Sequence, residues 1–255
     1  MEQNEDIAIE VFKLHKTFNI RDDNYNTIKQ RFFHLFNPAP IRHLQALKNI
    51  HFSVKKGECI GIIGRNGSGK STLVKCMAKV YQPTQGYIKL KGTMMLMNLG
   101  VGMSHELTAR ENVYVSGSAL GLKISEIDKI FDQIIEFAEL QEFVNTKIKY
   151  YSSGMIQRLA FSIATNARAD IMFLDEVFAV GDQKFLEKAV KVIEKSWIEG
   201  RTTVIVSHSM NIIEKYCKKV AYLKKGELVY FGNPNTAIDM YMHDASMHIP
   251  LEEKL

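Results

Sequence analysis

The chain has 255 residues, 46% hydrophobic and 24% charged, with 16 Gly and 5 Pro. That balance excludes a disordered, collagenous or low-complexity chain and bounds the answer to one sizeable domain, or one domain with a smaller lobe. The 33 basic against 28 acidic residues leave a net charge of +5, an excess compatible with nucleic acid, an anionic membrane surface, a phosphate ligand or none of these.

Three cysteines, Cys59, Cys76 and Cys217, have an odd count and neither metal-type nor CxxC spacing. They read as reduced packing residues. No stretch approaches the roughly 20 apolar residues of a bilayer-spanning helix, and Met1 to Asp6 lacks the basic-then-apolar plan of a signal peptide. The expectation is a cytosolic chain without a span of its own.

In chain order, Ile7 to Phe12 and Leu47 to Val54 read as strands, the second alternating with period two. Between them, Tyr25, Ile28, Phe32 and Leu35/Phe36 recur at helical spacing before Asn37-Pro38-Ala39-Pro40. This predicts an inserted amphipathic helix over about 24–40, which either packs on its own domain or turns its aromatic face to a partner. Lys56-Gly57-Glu58 turns into Cys59 to Ile63, apolar on both faces as a strand buried in a helix-flanked sheet should be.

Ile124 to Val144 and Met155 to Ala167 carry apolar residues at helical spacing and predict a helical lobe. Strands at Ile171–Leu174, Thr203–Val206, Val220–Leu223 and Glu227–Phe231 follow, with a helix over Lys184 to Glu199 between the first two. Strands alternating with helices imply a mainly parallel α/β sheet.

Gly64-Arg65-Asn66-Gly67-Ser68-Gly69-Lys70-Ser71 fits G-x-x-x-x-G-K-[ST] between an apolar strand and a helical run, the context this phosphate-binding loop requires. The glycines let successive N–H groups turn inward toward phosphate oxygens, and the following helix adds its positive end. Lys70 would bridge the β- and γ-phosphates, Ser71 would offer its hydroxyl to Mg²⁺, and Thr72 would reach the α-phosphate. ATP and Mg²⁺ are therefore the expected ligands. Asp175 and Glu176 stand where a buried strand meets the ligand-binding edge of such a sheet; Asp175 is assigned to the metal and Glu176 to the attacking water. His208 closes another apolar strand, where it is either structural or a partner of the γ-phosphate or water.

The order of these elements resembles the nucleotide-binding subunit of ABC transporters, and Tyr151-Ser152-Ser153-Gly154-Met155 with Gln157-Arg158 stands in the place of that family's signature. The resemblance runs over about residues 7–233. It implies an ABC-type P-loop ATPase in a single nucleotide-binding domain over 1–255, with a mainly parallel sheet core, an antiparallel β lobe and a helical lobe over about 104–168. It further implies a homodimer in which Ser152, Ser153 and Gly154 act on the partner's ATP. Phe18 falls where the family has an adenine-stacking aromatic, with a core aromatic as the alternative. Ala179 to Asp182 falls at the dimer-crossing loop, making Asp182 a cofactor-side residue, and His208 at the switch histidine.

Two departures, the signature YSSGM in place of LSGGQ and Met97 to Gly102 where the Q-loop glutamine usually lies, look like the polysaccharide-export branch, together with Leu107 to Asn112 and Asp175 to Asp182. Asn98 is the nearest candidate for the missing glutamine and thus for a metal contact. This branch implies a membrane permease as partner, a lipid-linked polysaccharide of the O-antigen type as cargo, no nucleic acid, and a place at the cytoplasmic face of the inner membrane. Teichoic acid or capsule export is the alternative within the branch, and a nucleotide-gated organiser of permease and glycosyltransferases is the alternative outside it. In the branch, Tyr25 to Phe36 resembles the gate helix of O-antigen exporters, while the tail over 234–255 is too short for a carbohydrate-binding domain.

Met94, Met95, Met97 and Met103 read either as gap-filling core or as a surface for the permease's coupling helix. Lys215, Lys218, Lys219, Lys224 and Lys225 read either as a solvated face or as one turned to anionic lipid.

Overall fold

The computed structural model describes residues 6–21, 41–97, 102–166, 168–175 and 183–246. The inserted helix expected over 24–40 lies outside them, as do Asn98, Glu176 and Asp182.

Two sheets form the frame. Strands β1 (Ile7–Arg21), β2 (Ile41–Lys55) and β4 (Gln85–Leu90) make an antiparallel sheet in the order β2-β1-β4. The main sheet has the order β5-β6-β7-β3-β8-β9, from β3 (Cys59–Ile63), β5 (Met94–Met97), β6 (Ile171–Asp175), β7 (Thr202–Val206), β8 (Lys219–Lys224) and β9 (Glu227–Gly232). All its pairings are parallel except the β8–β9 hairpin. The turn Lys225-Gly226 joins that hairpin with φ of +50° and +83°, the left-handed pair that a two-residue connection between right-twisted strands requires.

Both faces of the central strands are covered, so β3 and β7 are buried at every residue and read as apolar runs rather than alternating ones. One core, containing Ile60, Ile62, Phe173 and Val206, joins the main sheet to β1, β2 and helix α1 (Lys70–Met77). The other holds Trp197, Phe161, Phe185 and Tyr222.

Helices α2 (Ala109–Ala119), α3 (Ile124–Ala138) and α4 (Ser153–Ala164) form the helical lobe around Ile127, Phe131, Ile134 and Leu159. Phe137 leaves that face and stacks toward Phe161 and Phe185, with ring centroids 6.2 and 5.5 Å away, which ties the lobe to the main sheet. The segment Leu107 to Asn112 has a structural reason. Thr108 and Glu111 close a capping box on α2, while the fully buried Asn112 amide donates to the carbonyls of Ser104, Leu107 and Thr108.

Several boundaries differ from expectation. The first two strands are longer than their apolar patterns because their far ends pair with each other, Thr17 to Arg21 against Ile41 to Gln45. The helix expected from Lys184 is α5 (Gln183–Val192), which continues as a π turn over Ile193–Ile198. The tail after Asn233 is the helix α7 (Pro234–Ser246), whose Ala237 is buried. Of the four methionines Met97 is buried in the second core, while Met94, Met95 and Met103 are partly buried and pack against the first core, the second core and the helical lobe. All three cysteines are buried free thiols, and among the described residues no helix is long and apolar enough to cross a membrane.

Candidate functional site: a phosphate loop and its cavity

The loop leaves the C-terminal end of β3 and enters α1. Gly64 has φ +150°, and a Cβ there would stand 2.3 Å from the carbonyl oxygen of Leu223 and 2.6 Å from Ser68 Oγ. Only glycine fits. Gly69 caps α1 at φ +105°, where a Cβ would stand 2.8 Å from the carbonyl oxygen of Ala46. Backbone bonds hold the curl, Ser68 N–H donating to Arg65 O at 3.0 Å and Gly226 N–H to Ser68 O at 2.9 Å. The second bond fastens the loop to the β8–β9 turn.

Lys70 is 7% exposed, and its Nζ donates to the carbonyls of Gly64 at 2.7 Å and Arg65 at 3.2 Å. These neutral acceptors hold the ammonium at the centre of the loop. A phosphate oxygen competes with them effectively, since a bond between two ionised groups is stronger than one to a carbonyl.

A cavity of about 510 Å³ opens over this loop. Asn66, Gly67, Gly69, Lys70, Ser71 and Thr72 line it from the loop and the first turn of α1. Phe18 enters from β1 and His208 from the segment after β7. Phe18 is half-buried rather than core. Tyr81 meets it edge-on at 5.3 Å and Lys16 Nζ stands 4.9 Å from its ring centroid. Thus one cavity gathers an aromatic, a lysine-bearing anion loop and an imidazole from three distant stretches of chain.

Arg65 and Ser68 are placed elsewhere. Both line a smaller cavity of about 290 Å³ behind the loop, shared with Tyr222, Lys224 and Asp244. The Ser68 hydroxyl is buried there without a hydrogen-bond partner.

Asp175 ends β6 at the same edge of the sheet, half-buried and in register with Val206 of the neighbouring strand. Ser71 and Asp175 are hard oxygen donors of the kind Mg²⁺ prefers, and Mg²⁺ is usually held by one or two carboxylates plus substrate phosphates and water. Among the described residues there is no cluster of three or more His, Cys, Asp or Glu suited to a metal. The chemistry of these two oxygens fits such a cation, while of the two only Ser71 lines the loop's cavity.

Ser152, Ser153 and Gly154 do not line the loop's cavity. They open α4 on the helical lobe, with Ser152 as N-cap, its Oγ accepting from Met155 N–H at 3.2 Å. A Cβ on Gly154 would meet nothing nearer than Ser152 Oγ at 3.9 Å, so this helix end is open to approach.

Sequence reasoning missed Leu44, Gln45 and Ala46 of β2 and the turn residues Lys225 and Gly226, which complete the cavity wall. The Lys-Gly turn signal was present in the sequence; its position over the loop follows from the parallel pairing of β3 with β8. The lysine cluster does not form one face. Lys215 pairs with Glu194 at 2.8 Å, Lys219 with Glu58 at 2.9 Å and Lys224 with Asp244 at 2.7 Å, while Lys225 lines the cavity.

Residues 47–179 match the family model described as ABC transporter. The chain is similar to an O-antigen export system ATP-binding protein of Klebsiella pneumoniae, 39% identical over 218 residues covering 84% of this chain and 89% of that protein. An O-antigen export system ATP-binding protein of Myxococcus xanthus is 38% identical, with 80% and 47% covered. A teichoic acids export ATP-binding protein of Bacillus cereus is 40% identical, with 77% and 36% covered. The chain thus spans less than half the length of the last two. Its fold matches a dimeric ATP-binding cassette in a post-hydrolysis state bound to ADP and Pi, with TM-score 0.69, 24% identity, and 89% and 98% of the two chains covered.

Proposed function

The chain belongs to the ABC transporter family, and on that premise we propose that it is the ATP-hydrolysing subunit of an exporter of lipid-linked polysaccharide, O-antigen in type, working with a separate membrane permease. The observation that carries this reading is the single cavity where Phe18, the loop through Thr72 and His208 converge, in a chain similar to polysaccharide-export ATP-binding proteins.

In this reading the chain's residues divide the work. Lys70 and the loop amides hold the β- and γ-phosphates, Thr72 reaches the α-phosphate, and Phe18 stacks on the base. Ser71 and Asp175 hold Mg²⁺, which, when bound, neutralises phosphate charge. Asn98 adds a contact at that site. Glu176 takes up the proton of the attacking water, and His208 holds the γ-phosphate side. Two chains meet head to tail, so that Ser152, Ser153 and Gly154 of each close over the other's nucleotide and Asp182 crosses the seam. Closing the dimer around ATP biases the permease toward one state, at the cytoplasmic face of the membrane.

The test is genetic and chemical together. Purified Glu176→Gln should bind ATP as the wild type does and lose at least about 100-fold in turnover, the range a general base contributes. A strain without the gene should lose surface glycan and accumulate lipid-linked chains, and only the wild-type chain should restore export. Unchanged surface glycan in the deletion strain would overturn the cargo assignment. Loss of a phosphate-rich wall polymer instead of a neutral glycan would assign it to teichoic acid export, to which the Bacillus cereus relative's name points.

A further inference from the structure

We propose that Leu44 is a further nucleotide-binding residue: paired across the ladder with Phe18, its side chain forms with that ring an apolar slot that takes the base of the nucleotide. This inference rests on the nucleotide reading above and adds the part of the site that binds the base rather than the phosphates.

The slot follows from register. From Thr17 to Arg21, β1 pairs with β2 without a shift, and Phe18 stands directly opposite Leu44. Directly opposed residues of an antiparallel pair share one face of the sheet, with Cβ atoms about 4.5–5.5 Å apart. Phe18 and Leu44 therefore project together, and both line the cavity over the phosphate loop.

Phe18 is braced from outside that cavity. Lys16 Nζ donates to Gln82 O at 2.8 Å and stands 4.9 Å from the ring centroid, while Tyr81 meets the ring edge-on at 5.3 Å. The strand beside it is tied down as well, Thr84 N–H donating to His15 O at 2.8 Å and Thr17 N–H to Thr84 Oγ1 at 3.0 Å. Neither Lys16 nor Tyr81 lines the cavity. The ring is thus positioned before a ligand arrives, which lowers the ordering cost of binding.

Leu44 is placed differently from the other leucines of these two strands. Leu14 and Leu47 are fully buried, whereas Leu44 is 53% exposed, so the fold gains little from its apolar side chain. A singly exposed leucine is ordinary on an open surface. This one is set in a ligand cavity against a braced aromatic ring, with a lysine-bearing phosphate loop in the same wall. Such an arrangement suits a flat heteroaromatic ring joined to a chain of phosphates: the loop takes the charge, and the apolar surface of the pair is removed from water only when the ring enters.

The experiment compares two ligands that share phosphates and differ in the base. The full-length chain is titrated calorimetrically with ATP and with inorganic tripolyphosphate, each with Mg²⁺, as wild type, Leu44→Ala and Leu44→Ile. Leu44→Ala should weaken ATP binding about four- to fifteenfold, the contribution of one or two buried methylene-sized groups, and leave tripolyphosphate binding unchanged. Leu44→Ile keeps the apolar volume on a strand and should restore ATP binding. Because the side chain is exposed, the alanine variant should keep the wild-type melting temperature. Equal losses for both ligands would show that Leu44 acts through the loop or the fold, and unchanged ATP binding in Leu44→Ala would show that the base lies elsewhere; either result overturns the slot. A wild-type chain that binds neither ligand would instead overturn the nucleotide reading, and the slot with it.

Discussion

Gly64 stands where the phosphate loop, β8 and the smaller cavity meet, and its lack of a side chain is what lets them meet. Gly64→Ala puts a methyl 2.3 Å from a backbone carbonyl in a left-handed conformation. It should lower stability by about 2–4 kcal/mol through overpacking and backbone strain, seen as a drop in melting temperature, and should abolish ATP binding. Lys225 gives the contrasting case, with φ +50° in a two-residue turn and its side chain on the nucleotide cavity. Lys225→Gly should raise the melting temperature slightly by relieving the left-handed residue. It should also weaken ATP binding by up to about fivefold, since a solvent-facing cation contributes up to about 1 kcal/mol. Stability and affinity moving in the same direction would refute this split. At this scale the loop itself was legible, because glycine and lysine spacing acts within eight consecutive residues. Lys225 was not, since the loop residues whose cavity it lines lie far from it in the chain.

Among the elements, α7 illustrates how a segment that reads as a tail becomes part of the domain. Its Asp244 accepts from Tyr222 Oη and Lys224 Nζ, both at 2.7 Å, clasping the helix to β8 behind the phosphate loop. The Lys224 hydrogen bond, and then the one from Tyr222, hold the Asp244 carboxyl below its ordinary value of 3.8, while burial pushes the Tyr222 hydroxyl up. A carboxylate with a lowered folded pKa stabilises at pH above its ordinary value, and that contribution is lost as pH falls through the folded one. Asp244→Asn should therefore melt below the wild type at neutral pH, with the gap closing below about pH 4. A gap that does not change with pH would show that shape, and not charge, holds the helix. α3 was readable from Ile127, Phe131, Ile134 and Ala138 because its face meets one lobe at helical period. The period of α7 is weaker: of its residues only Ala237 is fully buried.

For the whole molecule the decisive geometry is that Ser152 to Gly154 sit on the helical lobe, outside the cavity formed by their own chain's loop. If each site is completed by a second chain, two defective chains should complement each other. Lys70→Ala mixed one to one with Ser152→Gly should recover about a quarter of wild-type ATPase, since half the two-fold dimers hold one intact site. Ser152→Gly is chosen because glycine keeps most of the N-cap's stability, whereas alanine costs about 1 kcal/mol. No recovery on mixing would mean that the signature acts within its own chain or not at all.

The sequence by itself determined the mainly parallel α/β class, the phosphate loop, the carboxylate that ends β6 and the free thiols. The thiols follow from the odd count and spacing of the cysteines, and the others depend on residues close together in the chain, where period, turn chemistry and motif spacing act directly. Only the tertiary structure decided which distant residues share a cavity: Phe18 and His208 with the loop, Ala46 and Gly226 beside it, Arg65 and Ser68 behind it. It also placed Ser152 to Gly154 on the helical lobe, away from that cavity. The physical reason is common to both. Strand order and helix packing bring residues together across long separations, and no local pattern in the chain encodes which strand ends become neighbours.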